Sequence, residues 1–352
     1  MHLADVLAAH WPAYAAQFGR AIPSEQRAAV RAIRRCRTPA LGGQAYACAC
    51  GETHFAYHSC NHRACPRCGR DDAQAWLEQQ KVRLLPVPYF LVTFTVPEPL
   101  REPIRAAPRE WYGALLREAA GTLQDLAAQP KHLGAELGGT ALLQTWTRDL
   151  RYHPHVHLLV PGGGLTANQL RWVRVRDPQF LFPQAKLAAR FKGRLKAWLK
   201  AKHPELFQLV PTKVWWIPWV ADVQPVGSGE AALKYLANYL CRPPLHEAQL
   251  EACDAQTVTF RYRDNGGTQK HCTVSGREFV RRFLQHVLPK GFQRVRHYGW
   301  LGAAAQKKRD RIHALLDWKP PLAVKSPPVP PPVCPRCGKP MTCVGQLPRA
   351  PP

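Results

Sequence analysis

Six of the twelve cysteines fall between Cys36 and Cys68, in a stretch rich in Gly and His that shows no apolar periodicity. A segment of this make-up has no core of its own, so bound metal is expected to set its shape. The chain shows no basic–apolar–small leader and no run of 18 apolar residues, which predicts a soluble, cytoplasmic protein with reduced thiols and no membrane partner. Cys65-Pro-Arg-Cys68-Gly is half of a zinc knuckle, and Cys48-Ala-Cys50-Gly is a tighter version with one residue in the gap. The pattern predicts one structural zinc held mainly by Cys48, Cys50, Cys65 and Cys68, with Cys36, Cys60 and His62 as spare donors. Glu52 is the one carboxylate inside the knuckle, which argues against a catalytic zinc. Near the C-terminus, Cys334-Pro-Arg-Cys337-Gly with Cys343 makes half of a zinc ribbon. Two readings stay open for it: a metal completed by a donor from elsewhere, or no metal at all.

A chain of 352 residues has room for two or three domains. Apolar steps of three and four (Leu7, Trp11, Tyr14, Phe18, then Val30 and Ile33) predict two short helices before the cysteine block, and residues 71–84 resume a helical pattern. Tyr89–Val96, Ala141–Trp146, His155–Val160 and Thr257–Arg263 read as strands, and Val214–Val226 as one or two more. Helices are expected over 109–126, 184–202, 229–241 and 276–288. The irregular alternation predicts an α+β fold with an antiparallel sheet. The expected organisation is a helical and zinc-binding DNA-recognition module at 1–84, a main domain at 85–302, and a basic, Pro-rich tail with a partial zinc ribbon at 303–352.

Charge points to the partner. Forty-nine Lys and Arg against 24 Asp and Glu leave a net charge of +25. Such an excess implies a polyanion, most simply nucleic acid. Between Lys270 and Lys319 there are twelve cations and three acids, and Arg281, Arg282, Lys290, Arg294 and Arg296 are the expected DNA contacts.

Two patterns carry chemistry. In His153-Pro-His155-Val-His157 the period of two puts all three imidazoles on one face of a strand, where His155 and His157 could share a divalent cation. In Tyr235-Leu-Ala-Asn-Tyr239 the phenols are one helical turn apart. Either pattern alone also suits an ordinary role, the histidines satisfied within a sheet and the tyrosines rimming a core.

In this order along the chain, these patterns resemble the HUH endonucleases, and more narrowly the rolling-circle two-tyrosine transposases of bacterial insertion sequences. The matching pieces include Cys36-Arg-Thr-Pro-Ala-Leu-Gly-Gly, Ser59-Cys60 through Cys68, Trp146 before His153–His157, the Tyr235/Tyr239 helix, and Glu278–Phe292 with Arg296-His-Tyr-Gly299. Gln144 stands where the family pattern has His. The resemblance implies an antiparallel-sheet HUH domain behind a zinc module. It further implies that Tyr235 and Tyr239 cleave single-stranded DNA through a 5′-phosphotyrosine, with Mg²⁺ or Mn²⁺ on His155 and His157. Gln144 is then the first candidate for a third ligand, ahead of His153. The rivals are a plasmid replication initiator or relaxase with the same chemistry, and a non-catalytic zinc-dependent DNA-binding protein.

Overall fold

Residues 1–68, 70–240, 244–264, 266–322 and 330–350 are described by a computed structural model, with backbone alone at 70–72 and 238–240. Elements are numbered along the chain. The strands β3 (Tyr89–Thr95), β4 (Gly138–Trp146), β5 (Tyr152–Pro161), β8 (Val220–Pro225) and β12 (Val295–Gly299) form a sheet in the order β12-β4-β5-β3-β8. All its pairings are antiparallel, as the α+β reading expects.

Side chains alternate across a strand, so each of these strands feeds two environments. Phe90, Val92, Phe94, Ala141, Leu143, Val156, Leu158 and Val160 go to one face, in a single core with α5 (Pro108–Ala127) and α6 (Gln184–Lys202). Phe94 meets Phe191 of α6 with ring centroids 4.8 Å apart, and both side chains are fully buried. Truncating either ring to Ala is expected to cost about 3–5 kcal/mol.

On the other face Leu91, Leu142 and Leu159 lie under Leu233 and Leu236 of α8 (Glu230–Leu240), alongside Leu77 of α3 (Arg70–Lys81) and Ile312 of α10 (Gln306–Leu315). Gly229 sets how closely α8 starts against β3. It sits at φ +78°, and a Cβ there would come within 2.7 Å of the Tyr89 ring, so only glycine suits both the backbone and the gap.

A second core joins α1 (Leu3–Phe18) and α2 (Ser24–Arg35) to the antiparallel sheet β9 (Leu250–Cys253), β10 (Thr257–Arg263) and β11 (Gln269–Ser275), and to α9 (Gly276–Leu284). Leu3, Leu7, Val30, Ile33, Phe260, Phe279 and Phe283 fill it, together with Cys36, Cys65 and Cys68. The N-terminal helices therefore share their core with residues more than two hundred positions away. A third sheet, β13-β1-β2, is built from β1 (Gly43–Ala47), β2 (Thr53–Tyr57) and β13 (Thr342–Leu347). Short helices α4 (Arg101–Ala106) and α7 (Pro204–Gln208) and the hairpin β6 (Gly163–Leu165) with β7 (Trp172–Arg174) complete the set.

Of the one or two strands expected over Val214–Val226 there is one, β8, because Thr212–Trp215 turns as a 3-10 helix and the Trp219 indole N–H donates to the Val214 carbonyl at 3.1 Å. Two differences from the sequence reading have physical causes. The cysteine block is not irregular throughout: it holds β1 and β2, whose half-exposed residues give no clean alternation. The tail is not separate either, since its strand β13 pairs with β1.

Candidate catalytic face and cysteine clusters

Further along these strands the apolar row of Leu91, Leu142 and Leu159 gives way to polar side chains. Gln144 of β4 lies directly opposite His155 of β5, and His157 directly opposite Thr93 of β3. The register shifts between Gln144 and Trp146, a local irregularity of the kind that re-aims a side chain. The amide nitrogen of Gln144 donates to the Trp146 carbonyl at 3.1 Å. Its Oε1 is thereby turned the other way, and it is buried with no partner.

The histidines are held in the same manner. His155 Nδ1 lies 2.7 Å from the His153 carbonyl, which can only accept, so the proton sits on Nδ1 and Nε2 carries a lone pair. His157 Nδ1 meets the Thr93 hydroxyl at 2.9 Å, and its Nε2 is buried with no partner. The two rings are 4.8 Å apart between centroids. Burial, then the neighbouring His157, holds His155 well below the usual imidazole range. Burial alone pushes His157 down to about 4. Both are therefore neutral near pH 7, the form that binds metal.

Gln144 Oε1, His155 Nε2 and His157 Nε2 form a donor set of the imidazole-plus-oxygen type that suits a divalent ion with open positions. Two of the three atoms are buried without any other partner, so they fit such an ion. His153 fits less well, because an Arg101 guanidinium nitrogen stands 2.9 Å from its Nδ1 and repels a cation. Tyr235 overhangs the site from α8, its ring edge-on to His157 at 5.9 Å, with 38% of its surface exposed. The side chain of Tyr239 lies outside the described residues, as does Cys241.

The cysteines fall into two groups of four. Cys36, Cys60, Cys65 and Cys68 have ligand atoms all within 4.8 Å of one another, and so do Cys48, Cys50, Cys334 and Cys337. The single site expected from Cys48, Cys50, Cys65 and Cys68 is not formed. The reason is the hairpin. Its base is pinned beside Cys36 by hydrogen bonds from Arg37 to His58 and from His58 to Gly42, whereas Cys48 and Cys50 sit at its tip. Five residues of strand at ~3.3 Å each put roughly 16 Å between the two ends. His62 is no donor to either group; its Nδ1 accepts from the Ala64 amide at 3.2 Å.

In the first group Cys36–Cys68 and Cys60–Cys68 are 3.5 and 3.6 Å apart between sulfurs. A zinc tetrathiolate with bonds near ~2.3 Å has edges of about 3.8 Å, so the spacing fits a closed structural site. The hydrogen bond between Cys60 and Cys65 lowers the Cys60 thiol and raises that of Cys65, the mark of sulfurs packed close together.

Comparison with known proteins gives the family. Residues 6–96 match the family model described as "Transposase zinc-binding domain" of the IS91 type, and residues 138–309 match the one described as "Putative transposase". The chain is 37% identical over 322 residues to "Putative transposase y4qJ" of Sinorhizobium fredii, covering 85% of this chain and 80% of that protein. It belongs to the IS91-type HUH transposases. A second relative, "Transposase for insertion sequence element IS801" of Pseudomonas savastanoi pv. phaseolicola, is 28% identical over 76% of this chain and 68% of its own length. A solved bacterial tRNA(His) guanylyltransferase-like protein aligns at 10% identity with a TM-score of 0.21, too slight a likeness to bear on fold or function.

As a transposase the chain acts on DNA and carries a zinc-binding domain. Among its described residues no helix is long and apolar enough to cross a membrane. The basic residues expected to meet DNA are in part engaged internally. Arg281 and Arg282 both bind the Glu278 carboxylate, at 2.6 and 2.7 Å. Arg294 donates to the Leu143 carbonyl at 3.0 Å and lies over the Trp146 ring. Arg296 lies over Phe292, while Lys290 is exposed. The zinc module docks through a cation as well: Arg63 donates to the carbonyls of Pro289 and Phe292, at 2.6 and 2.7 Å. Thr93 is a site residue that the sequence reading missed, since a threonine within an apolar strand gives no signal until the register places it beside His157.

Proposed function

We propose that this transposase cleaves and rejoins single-stranded DNA at element ends through a 5′-phosphotyrosine, in rolling-circle fashion. The observation that carries this reading is the convergence of partnerless Gln144 Oε1 and His157 Nε2 with His155 beneath Tyr235. Gln144, His155 and His157 are the residues to hold Mg²⁺ or Mn²⁺, which when bound supplies Lewis acidity to the scissile phosphate.

The remaining work falls to the chain. The hydroxyl of Tyr235 or Tyr239 attacks phosphorus, the bond to the 3′ oxygen breaks, and the proton lost by the phenol is balanced by the one gained at the 3′-OH. A phenol is a weak nucleophile at neutral pH, so placement beside the phosphate has to supply much of the rate. The covalent link conserves the phosphodiester, and religation to another 3′-OH needs no nucleotide. Two tyrosines one turn apart, their stems ~6 Å from each other, allow a second cleavage before the first link is resolved. Single-stranded DNA is met through the basic surface around Lys290, in the cytoplasm at the nucleoid.

Incubating the protein with labelled single-stranded oligonucleotides of the element ends and Mg²⁺ tests the reading. An SDS-resistant adduct that needs both metal and tyrosine supports it; cleavage without any adduct counts against it.

A further inference from the structure

We propose that Cys48, Cys50, Cys334 and Cys337 hold a second zinc ion, which clasps the C-terminal residues of the chain to the N-terminal hairpin. Neither family match extends past residue 309, so nothing assigns a role to the last two of these cysteines. The proposal does not depend on the cleavage chemistry.

The geometry is that of two knuckles facing each other. Cys48 and Cys337 sulfurs are 3.4 Å apart, and Cys50 and Cys334 3.6 Å, again near the ~3.8 Å edge of a zinc tetrathiolate. Each half is a tight turn closed by the backbone. The Cys48 amide donates to the Glu52 carbonyl at 2.8 Å, and the Cys334 amide to the Lys339 carbonyl at 2.9 Å. Each half is followed by a glycine at positive φ, Gly51 at +87° and Gly338 at +72°, which lets the chain curl around its sulfurs. A one-residue gap in the first half and a two-residue gap in the second supply complementary pairs.

Other contacts are too few to hold the tail. Its strand β13 pairs with β1 from Thr342 to Leu347, but five of the six residues of that strand are exposed. The local core is Cys48, Cys334 and Met341 with Tyr46 against them. So small an apolar cluster does not offset the ordering of residues 330–350, whereas metal binding to the converging sulfurs does. Arg336, between Cys334 and Cys337, and Lys339 just beyond them add two positive charges to the segment that would carry the net negative charge of four thiolates around one dication. Because Cys50 and Cys334 are 284 residues apart in sequence, this ion closes the five-stranded sheet and Cys60, Cys65 and Cys68 of the first cluster into one loop.

Native mass spectrometry of the full chain prepared with zinc is expected to find two ions per molecule. Cys334→Ser/Cys337→Ser should bind one, Cys343→Ser two, and Cys337→His two, since imidazole replaces thiolate at such sites. Hydrogen exchange read on the same samples separates loss of the clasp from loss of the fold: in the double Ser variant β1 and β13 should lose protection while β4 and α9 keep theirs. One zinc in the folded parent chain, two in the folded double Ser variant, or unchanged protection of β1 and β13 would each overturn the proposal.

Discussion

The Tyr235 ring stands edge-on to the His157 ring, centroids 5.9 Å apart and planes at 89°, across the gap between α8 and β5. A phenol ring and a buried imidazole with a free ring nitrogen thus face the same small volume, and their elements are fixed by different means. His157 is set by sheet register, Tyr235 by the Leu233 and Leu236 contacts that seat α8.

His155→Ala or His157→Ala is expected to abolish metal-dependent cleavage while DNA affinity changes by no more than a few fold. Affinity is expected mainly from phosphate contacts spread over the basic surface, whereas in the proposed chemistry these side chains serve one phosphate only. Gel-shift and cleavage assays on the same preparations check this, and full cleavage by the double variant would remove the face from the mechanism.

Thr93→Val keeps the shape of the strand but removes the hydroxyl at 2.9 Å from His157 Nδ1. Partners that orient ligating histidines are typically worth about 10–100-fold in metal affinity or activity. A shift of that size in the Mg²⁺ or Mn²⁺ concentration needed for cleavage, at unchanged melting temperature, is the expected result.

Glu278 gives a pH dependence of stability. Hydrogen bonds from Arg281 and then Arg282, against the opposing effect of burial, hold its carboxyl down to about 2, against 4.5 for an ordinary glutamate. The folded value is depressed, so the stabilisation is complete above the unfolded value near 4.5 and is lost as pH falls toward 2. Glu278→Gln should therefore melt lower than the parent at pH 7, with the gap closing between about pH 4.5 and 2. A constant gap across that range would show that the carboxylate charge is not what matters.

Chelation of the first cluster should reach well beyond the knuckle. Cys36, Cys65 and Cys68 belong to the core that Val30, Ile33, Phe260 and Phe283 complete. Cys65→Ser is expected to lower the melting temperature and to expose α1 and α2 to hydrogen exchange, while the core of β3, α5 and α6 stays protected.

The strand half of this candidate site is legible in the sequence because a period of two suffices to put His155 and His157 on one strand face, whereas the expected pairing of Tyr235 with Tyr239 involves a side chain outside the described residues. Gln144 is harder, since only register with β5 and the hydrogen bond to Trp146 turn its oxygen into the site. The grouping of the cysteines is not legible from spacing alone. Cys48 and Cys65 look like partners until the length of β1 separates them, and Cys334 lies too far along the chain for local patterns to join it to Cys50. Strands β1, β2 and β13 escape notice because they bury little on either face, so alternation never appears. The Cys-x-x-Cys-Gly ending does not help, because Cys65-Pro-Arg-Cys68-Gly and Cys334-Pro-Arg-Cys337-Gly share it.

The central claim is that α8 carries the nucleophile over a metal held by Gln144, His155 and His157, and peptide mass spectrometry of the trapped protein–DNA adduct tests it most directly. The account predicts a phosphodiester on Tyr235 or Tyr239 in the parent chain, reduced or unequal adduct in Tyr235→Phe and Tyr239→Phe, and none in the double Phe variant with its melting curve intact. An adduct that persists in the double variant, or one mapped to another tyrosine such as Tyr262 or Tyr298, would contradict it.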